Sequence, residues 1–137
     1  MNIGVIIQAR MGSTRLPNKV MKPINGVPMI GLLLQRLSKS KKIDQIVLVT
    51  TRNKKEKPLI DYVSKIGFEV FQGSENDVLS RYYHAAKKYN ADAVVRVTGD
   101  CPVISPEIIE LLIKKHIKIG DFYSWKNIMV KKLDIRL

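Results

Sequence analysis

The chain has 137 residues, of which 45% are hydrophobic and 26% charged, and its formal net charge at pH 7 is +12. This length and composition are typical of one globular domain with a substantial core. They exclude a membrane-spanning protein, because no apolar run approaches the ~18 residues of a spanning helix, and the single cysteine, Cys101, excludes an internal disulfide.

The N-terminus leads directly into an apolar strand, without the regions of a secretory signal peptide, so the cytoplasm is the expected compartment. The positive charge would attract polyanions. Most of the excess, however, consists of lysine clusters at predicted helix ends, in turns and in the tail, and no aromatic and glycine pattern of an RNA-binding surface is present. We therefore expect neither a nucleic-acid nor a membrane partner.

Short apolar runs alternate with helical patterns along the chain. Strands are predicted at residues 3–8, 46–50, 68–71 and 93–97, and helices at residues 29–40, 57–66, 75–89 and 106–119. The turn at Asn25 and Gly26 with Pro28 precedes the first helix, Gly67 closes the second, and Ser105 caps the fourth. Strict alternation predicts an α/β fold with a doubly wound, mainly parallel sheet, whose first four strands have the order 3-2-1-4.

A basic loop, residues 8–19 (QARMGSTRLPNK), follows the first strand. From Arg10 to Lys22 the chain carries four basic residues and no acid, while Gly12 and Ser13 let backbone N–H groups approach an anion closely. The loop leaves the carboxyl end of a buried parallel strand, where ligands bind in such sheets. This pattern predicts a polyphosphate site, with a solvated strand-to-helix connection as the alternative. The spacing matches neither a Walker P-loop nor a dinucleotide-binding motif.

Asp100 lies just after the fourth predicted strand, in the segment Gly99-Asp100-Cys101-Pro102. A carboxylate in this position can hold Mg²⁺ together with substrate phosphates and waters, because Mg²⁺ usually takes only one or two protein carboxylates at such sites. The alternative is an ordinary turn aspartate before a proline. In the predicted strand order, Asp100 and the basic loop face each other across the crevice where the chain direction reverses.

Three blocks of sequence carry a resemblance to a known family: IIQARMGSTRLPNKVMKPINGVPMI, GSENDVLSRYYHAA and RVTGDCPVISP. In this order they resemble the cytidylyltransferases that include CMP-Kdo and CMP-sialic acid synthetases, and most closely the branch of spore-coat polysaccharide biosynthesis. The match covers about residues 2–120. Three blocks in order are far more specific than any one of them.

The resemblance implies a nucleotide-diphospho-sugar transferase fold and a Mg²⁺-dependent reaction in which a sugar-acid hydroxyl attacks the α-phosphate of CTP. The products would be a CMP-sugar and pyrophosphate, for cell-surface polysaccharide biosynthesis. Phosphoryl transfer depends mainly on in-line positioning and on neutralising the developing negative charge, which cations supply. The implied partners are therefore a nucleotide and a small sugar acid.

The resemblance also implies roles for particular residues. Carried over by motif, the catalytic residues would be Arg10, Lys19 and Asp100, with Asp100 as the metal ligand. The nucleotide would be bound by Ala9, Arg10, Gly12, Ser13, Arg15, Lys19, Arg81 and Thr98. Within this set the backbone of Ala9 and Arg10 would lie near the base, and Thr98 stands where relatives often have Gln. Arg81 matches a position near the base or ribose, with a solvated helix residue as the alternative.

Two features depart from the family pattern. Cys101 stands where the Kdo branch usually has an acid, which favours the spore-coat branch. Related enzymes are also nearly twice as long, so residues 1–120 are expected to be the N-terminal part of a nucleotide-binding domain, and residues 121–137, with Asp134, match no motif. The alternative to an enzyme is a truncated, non-catalytic nucleotide-binding remnant or part of a split gene. An uncovered apolar edge would then favour self-association, for example as a homodimer.

Overall fold

A six-stranded sheet organises residues 1–119, 123–125 and 128–132, which are the residues that the structure, a computed structural model, describes. The strands are β1 Ile3–Gln8, β2 Pro23–Ile24, β3 Val27–Pro28, β4 Gln45–Thr51, β5 Glu69–Gly73, β6 Ala93–Thr98, β7 Tyr123–Trp125 and β8 Ile128–Lys132. The helices are α1 Met29–Leu37, α2 Lys57–Lys65, α3 Val78–Lys88 and α4 Pro106–Ile119.

The large sheet has the order β5-β4-β1-β6-β8-β7. The first four of these strands are parallel to one another and correspond to the predicted order 3-2-1-4, which is confirmed together with the α/β fold class. Two antiparallel strands, β8 and β7, extend the sheet beyond β6 and were not predicted. Asp134, for which no role was predicted, lies outside the described residues.

Helices cover both faces of the sheet and form two clusters of buried side chains. On one face α1, α2 and α4 pack against the odd-numbered residues of β1 through side chains such as Leu33, Leu59 and Ile109. On the other face α3 packs Tyr82 and Ala85 against residues of β1 and β4. The central strand β1 is therefore buried on both sides, as its unbroken apolar sequence predicts.

The predicted ends of helices and strands differ from the structure mainly at turns and helix caps, where a few residues determine the end of an element. Asn25 and Gly26 both have positive φ, 50° and 80°, and close the short hairpin of β2 and β3 before α1 begins. Asn-Gly is the preferred pair for such a turn, so the hairpin had a sequence signal that the prediction assigned only to the helix entry. Helix α3 begins at Val78 rather than residue 75, because the Asp77 side chain accepts a hydrogen bond from the Ser80 N–H at 2.9 Å.

Among the described residues, the structure has no helix that is both long and apolar enough to cross a membrane.

Candidate nucleotide-binding site

A cleft of about 590 Å³ opens at the carboxyl ends of β1 and β6. This volume lies within the range of pockets that bind small molecules. The cleft brings together all of the predicted site residues except Arg81: Ala9, Arg10, Gly12, Ser13, Arg15, Lys19, Thr98 and Asp100. The expectation that the basic loop faces Asp100 across the reversal of chain direction therefore agrees with the geometry.

Close packing between the ends of β1 and β6 holds the two sides of the cleft together. Gln8 and Thr98 are paired in the parallel register, and the Gly99 N–H donates to the Gln8 carbonyl oxygen at 2.8 Å. A Cβ atom on Gly99 would lie 2.7 Å from both the Gln8 oxygen and the Ala9 Cβ, which is closer than real Cβ contacts. Position 99 therefore requires glycine for Asp100 to lie beside the basic loop.

One backbone hydrogen bond ties the start of the basic loop to β4, and a second joins two residues within the loop. The Ala9 N–H donates to the Val49 carbonyl oxygen at 3.2 Å, and the Asn18 N–H donates to the Met11 carbonyl oxygen at 3.1 Å. Asn18 adopts the left-handed conformation, with φ 58°, which asparagine tolerates better than most residues. Arg10 and Arg15, which lie between Ala9 and Asn18, are exposed and line the cleft.

Lys19 and Asp100 form an ion pair across the cleft, with 3.4 Å between Lys19 Nζ and Asp100 Oδ2. Burial alone would raise the pKa of the Asp100 carboxyl, but hydrogen bonding with Thr98 and the nearby Lys19 ammonium outweigh it and hold the pKa below its ordinary value. Asp100 is therefore ionised at neutral pH. Both side chains are about half exposed, so a ligand can replace this contact at little cost.

Arg81 does not line the cleft. Its side chain is buried, with 2% exposure, and its Nη1 donates to the carbonyl oxygens of Ser74 and Glu75 in the loop after β5. These contacts exclude the solvated helix residue that was the alternative for this position. They give Arg81 a structural role, and its contact with the base or ribose stays a prediction.

Two residues near the cleft were missed by the sequence analysis. Arg96 lines it from β6, where its Nε donates to the Tyr82 hydroxyl at 3.4 Å. The alternation of buried and half-buried residues along β6 puts Arg96 on the same face as Thr98, and this signal could have found it. Glu56 is buried beside the basic loop and accepts a hydrogen bond from the Met11 N–H. It lies in the lysine-rich turn KKEK, and this sequence predicts an exposed surface rather than a buried side chain.

The chemistry of Asp100 fits a magnesium ion. Its carboxylate is ionised and partly exposed, and it lines a cleft in which every other charged side chain is basic. Among the described residues there is no group of three or more His, Cys, Asp and Glu side chains arranged to hold a metal. Mg²⁺ is commonly bound by one or two carboxylates together with substrate phosphates and waters, which is the arrangement that a single aspartate at this position can support.

The family model for cytidylyltransferases matches residues 4–134. The chain belongs to the cytidylyltransferase family. This assignment confirms the resemblance predicted from the three sequence blocks.

Individual relatives agree with it. The chain is 44% identical over 131 residues to an uncharacterized protein of Methanocaldococcus jannaschii, covering 95% of this chain and 54% of the relative. It is 36% identical over 124 residues to the spore coat polysaccharide biosynthesis protein SpsF of Bacillus subtilis, covering 88% of this chain and 52% of the relative. It is also 32% identical over 108 residues to a 3-deoxy-manno-octulosonate cytidylyltransferase of Chloroherpeton thalassium, covering 77% of this chain and 42% of the relative.

Among solved structures, a cytidylyltransferase from Leptospira borgpetersenii superposes with a TM-score of 0.89 at 35% identity. The match covers 96% of this chain and 60% of that one. This cytidylyltransferase chain thus spans about half the length of the curated relatives it matches, at 54% and 52% of the first two.

Proposed function

We propose that this cytidylyltransferase uses CTP to activate a sugar acid, yielding a CMP-sugar and pyrophosphate, in the biosynthesis of a cell-surface polysaccharide. The observation that carries the proposal is the cleft itself, in which the exposed cations of the basic loop face an ionised aspartate across the ends of β1 and β6. A triphosphate with a divalent cation has the charges that complement these two sides. The cytoplasm, where CTP is available, is the compartment we propose.

In the proposed reaction the acceptor hydroxyl oxygen forms a bond to the α-phosphorus of CTP. The bond from that phosphorus to the oxygen bridging the α- and β-phosphates breaks, pyrophosphate leaves with the electron pair, and the hydroxyl proton passes to solvent. Arg10, Arg15 and Lys19 hold the triphosphate and neutralise the charge that develops on the leaving pyrophosphate. Ala9, Gly12 and Ser13 line the same cleft, where backbone N–H groups could approach the phosphates.

Asp100 is the residue that would hold Mg²⁺ in this cleft. The ion would supply neutralisation of phosphate charge and help to orient the phosphates. Before the nucleotide binds, Lys19 neutralises the Asp100 carboxylate at 3.4 Å. In the nucleotide complex we expect Lys19 to turn to the phosphates, which frees the carboxylate for the metal.

The sugar-acid acceptor and the polysaccharide role rest on the relatives. One relative is named for spore coat polysaccharide biosynthesis and another for cytidylyl transfer to 3-deoxy-manno-octulosonate, which is a sugar acid. Arg96, which lines the cleft from β6, adds a further positive charge to those of the basic loop. An activity screen with CTP and a panel of sugar acids, read by pyrophosphate release, identifies the acceptor.

The direct test of the nucleotide site is CTP binding by titration calorimetry with Mg²⁺, compared with UTP. We expect CTP to bind more tightly than UTP. Lys19→Ala should weaken CTP binding roughly 10- to 100-fold, because charge-assisted contacts to phosphate are worth about 1.5–3 kcal/mol each. The matched control is Lys65→Ala, which removes an exposed lysine at the end of α2 and outside the cleft.

Equal losses for Lys19→Ala and Lys65→Ala would show that the interaction is non-specific charge attraction, and the assignment of the cleft would be wrong. Binding of CTP without pyrophosphate release on any acceptor would instead support a nucleotide-binding protein without catalytic activity. CTP binding and pyrophosphate release are measured separately on the same samples, so these outcomes can be told apart.

A further inference from the structure

Glu56 is a buried carboxylate whose side chain serves a neighbouring loop. It ends the 3-10 turn Lys54–Glu56 directly before α2, and only 3% of its surface is exposed. Burial of a carboxylate is unfavourable unless its oxygens accept hydrogen bonds. Here Oε2 accepts from the Met11 N–H at 2.8 Å and Oε1 accepts from the Thr51 hydroxyl at 3.2 Å.

The spacing from Asn53 to Glu56 is that of a capping box, in which the glutamate would bond back to the Asn53 N–H. The structure uses the side chain differently. The Asn53 N–H donates to Thr51 Oγ1 at 3.2 Å instead, and the Glu56 carboxylate points at the basic loop. One oxygen thus holds the loop, and the other is held by Thr51, a buried residue at the end of β4.

Met11 is the point at which the basic loop is fixed. Its side chain is buried, its carbonyl oxygen accepts from the Asn18 N–H at 3.1 Å, and its N–H donates to Glu56. The residues on either side, Arg10 and Gly12, are exposed and line the cleft. The orientation of the peptide between Arg10 and Met11 therefore depends directly on the hydrogen bond to Glu56.

We propose that Glu56 is a positioning residue for nucleotide binding, which acts by holding Met11 so that Arg10, Gly12 and Ser13 present their groups to the phosphates. Glu56 does not line the cleft and does not touch the ligand in this proposal. The inference rests on the proposed function, since it assigns phosphates to this loop. It goes beyond that function because it makes nucleotide affinity depend on a residue that does not line the cleft.

The effect of Glu56 should depend on the number of phosphates in the ligand. The loop would hold the triphosphate, so loss of its shape should weaken CTP more than CMP. Glu56→Met keeps much of the volume but removes both acceptors, and we expect CTP affinity to fall at least tenfold while CMP affinity changes less than threefold. Glu56→Gln should restore binding close to that of the parent, because its amide oxygen can accept from Met11 while its NH₂ donates to Thr51 Oγ1.

The matched control is Glu75→Gln. Glu75 is an exposed acid whose Oε1 accepts from the Asn53 side chain at 3.2 Å, so this change removes an acid next to the same turn without touching Met11. We expect it to leave both affinities unchanged. Titration calorimetry with CTP and CMP on the four proteins gives the comparison.

Hydrogen exchange of the Met11 amide, followed by NMR without nucleotide, tests the contact independently of the proposed function. The amide should be protected in the parent and in Glu56→Gln, and should exchange at least tenfold faster in Glu56→Met. Should Glu56→Met fail to fold, Thr51→Val replaces it, since it removes the hydroxyl that holds Oε1 and should shift exchange and the CTP-to-CMP ratio in the same direction.

Unchanged Met11 exchange in the folded variant would overturn the inference, as would equal losses of CTP and CMP affinity. Failure of the parent to bind CTP would instead contradict the proposed function and the phosphate role of Glu56. Hydrogen exchange of the Met11 amide would then still show whether Glu56 holds the basic loop. The two failures are therefore distinguishable.

Discussion

The loop after β1 and helix α3, which follows the loop after β5, both contain arginines that the family resemblance assigns to nucleotide binding, but the loop arginines are exposed and the helix arginine is buried. Arg10 and Arg15 are exposed on the cleft. Arg81 is buried, and its guanidinium bonds to the carbonyl oxygens of Ser74 and Glu75. A motif match places a residue in the chain, whereas exposure and hydrogen-bond partners decide whether its charge is available to a ligand.

The two loops also differ in what holds them. The basic loop is closed by backbone hydrogen bonds and anchored by Glu56, so its cations are not needed for its shape. The end of β5 and the loop after it instead pack directly on Arg81 of α3: a Cβ atom on Gly73, the last residue of β5, would lie 2.8 Å from Arg81 Cγ, and Arg81 bonds to the Ser74 and Glu75 carbonyl oxygens. We therefore expect substitutions in the first loop to affect binding and substitutions of Arg81 to affect stability.

The largest expected effect is on the stability of Arg81→Met. This change keeps the bulk of the side chain but leaves the Ser74 and Glu75 carbonyl oxygens without their donor. Loss of the two hydrogen bonds from this buried, charged side chain costs about 2–4 kcal/mol. Urea denaturation should show this decrease in the free energy of unfolding.

Arg15→Met is the matched control, since it makes the same chemical change at an exposed position. Its unfolding free energy should lie within about 0.5 kcal/mol of the parent, while its CTP affinity falls. The comparison fails if the two variants lose equal stability, or if Arg81→Met stays fully stable and loses only CTP affinity. That second result would place Arg81 at the nucleotide, as the resemblance implies.

A smaller effect is expected for Asp100→Asn, which tests the other side of the cleft. The substitution keeps size and hydrogen-bonding capacity but removes the charge that a hard cation requires. Mg²⁺ should increase the affinity of the parent for CTP. The ratio of the affinities with and without Mg²⁺ should be about tenfold or more smaller in the variant. Calorimetric titrations with and without Mg²⁺ measure it, and an unchanged Mg²⁺ dependence would make Asp100 a turn residue.

Local patterns were sufficient to predict the parts of the site that follow from strand ends. The apolar run of β1, the basic loop after it and Asp100 after β6 each have a signal within a few residues, and the parallel order brings them together. The strand order itself followed from strict alternation of strands and helices. These steps need no knowledge of side-chain contacts.

The parts that could not be predicted depend on contacts between distant residues. Glu56 stands among lysines, and nothing local indicates that its carboxylate turns inward to a residue 45 positions away. The burial of Arg81 depends on where the loop after β5 packs. Strands β8 and β7 add to β6 as antiparallel neighbours, and the strand-helix alternation that predicted the other strands does not extend to them.

The smallest expected effect is on the pH dependence of stability. Thr98 and Lys19 hold the pKa of Asp100 below its ordinary value in spite of partial burial. A carboxyl group with a lowered pKa in the folded state contributes stability that is present above its ordinary pKa and lost as the pH falls through the lowered value. Because Asp100 and Lys19 are about half exposed, solvent screening limits this contribution to about 0.5 kcal/mol or less. Urea denaturation at pH 7 and at steps down to about pH 3 should therefore show a slightly steeper loss of stability for the parent than for Asp100→Asn. A difference of more than about 2 kcal/mol would mean that this ion pair, like Arg81, is a structural element rather than an exposed pair that a ligand can open.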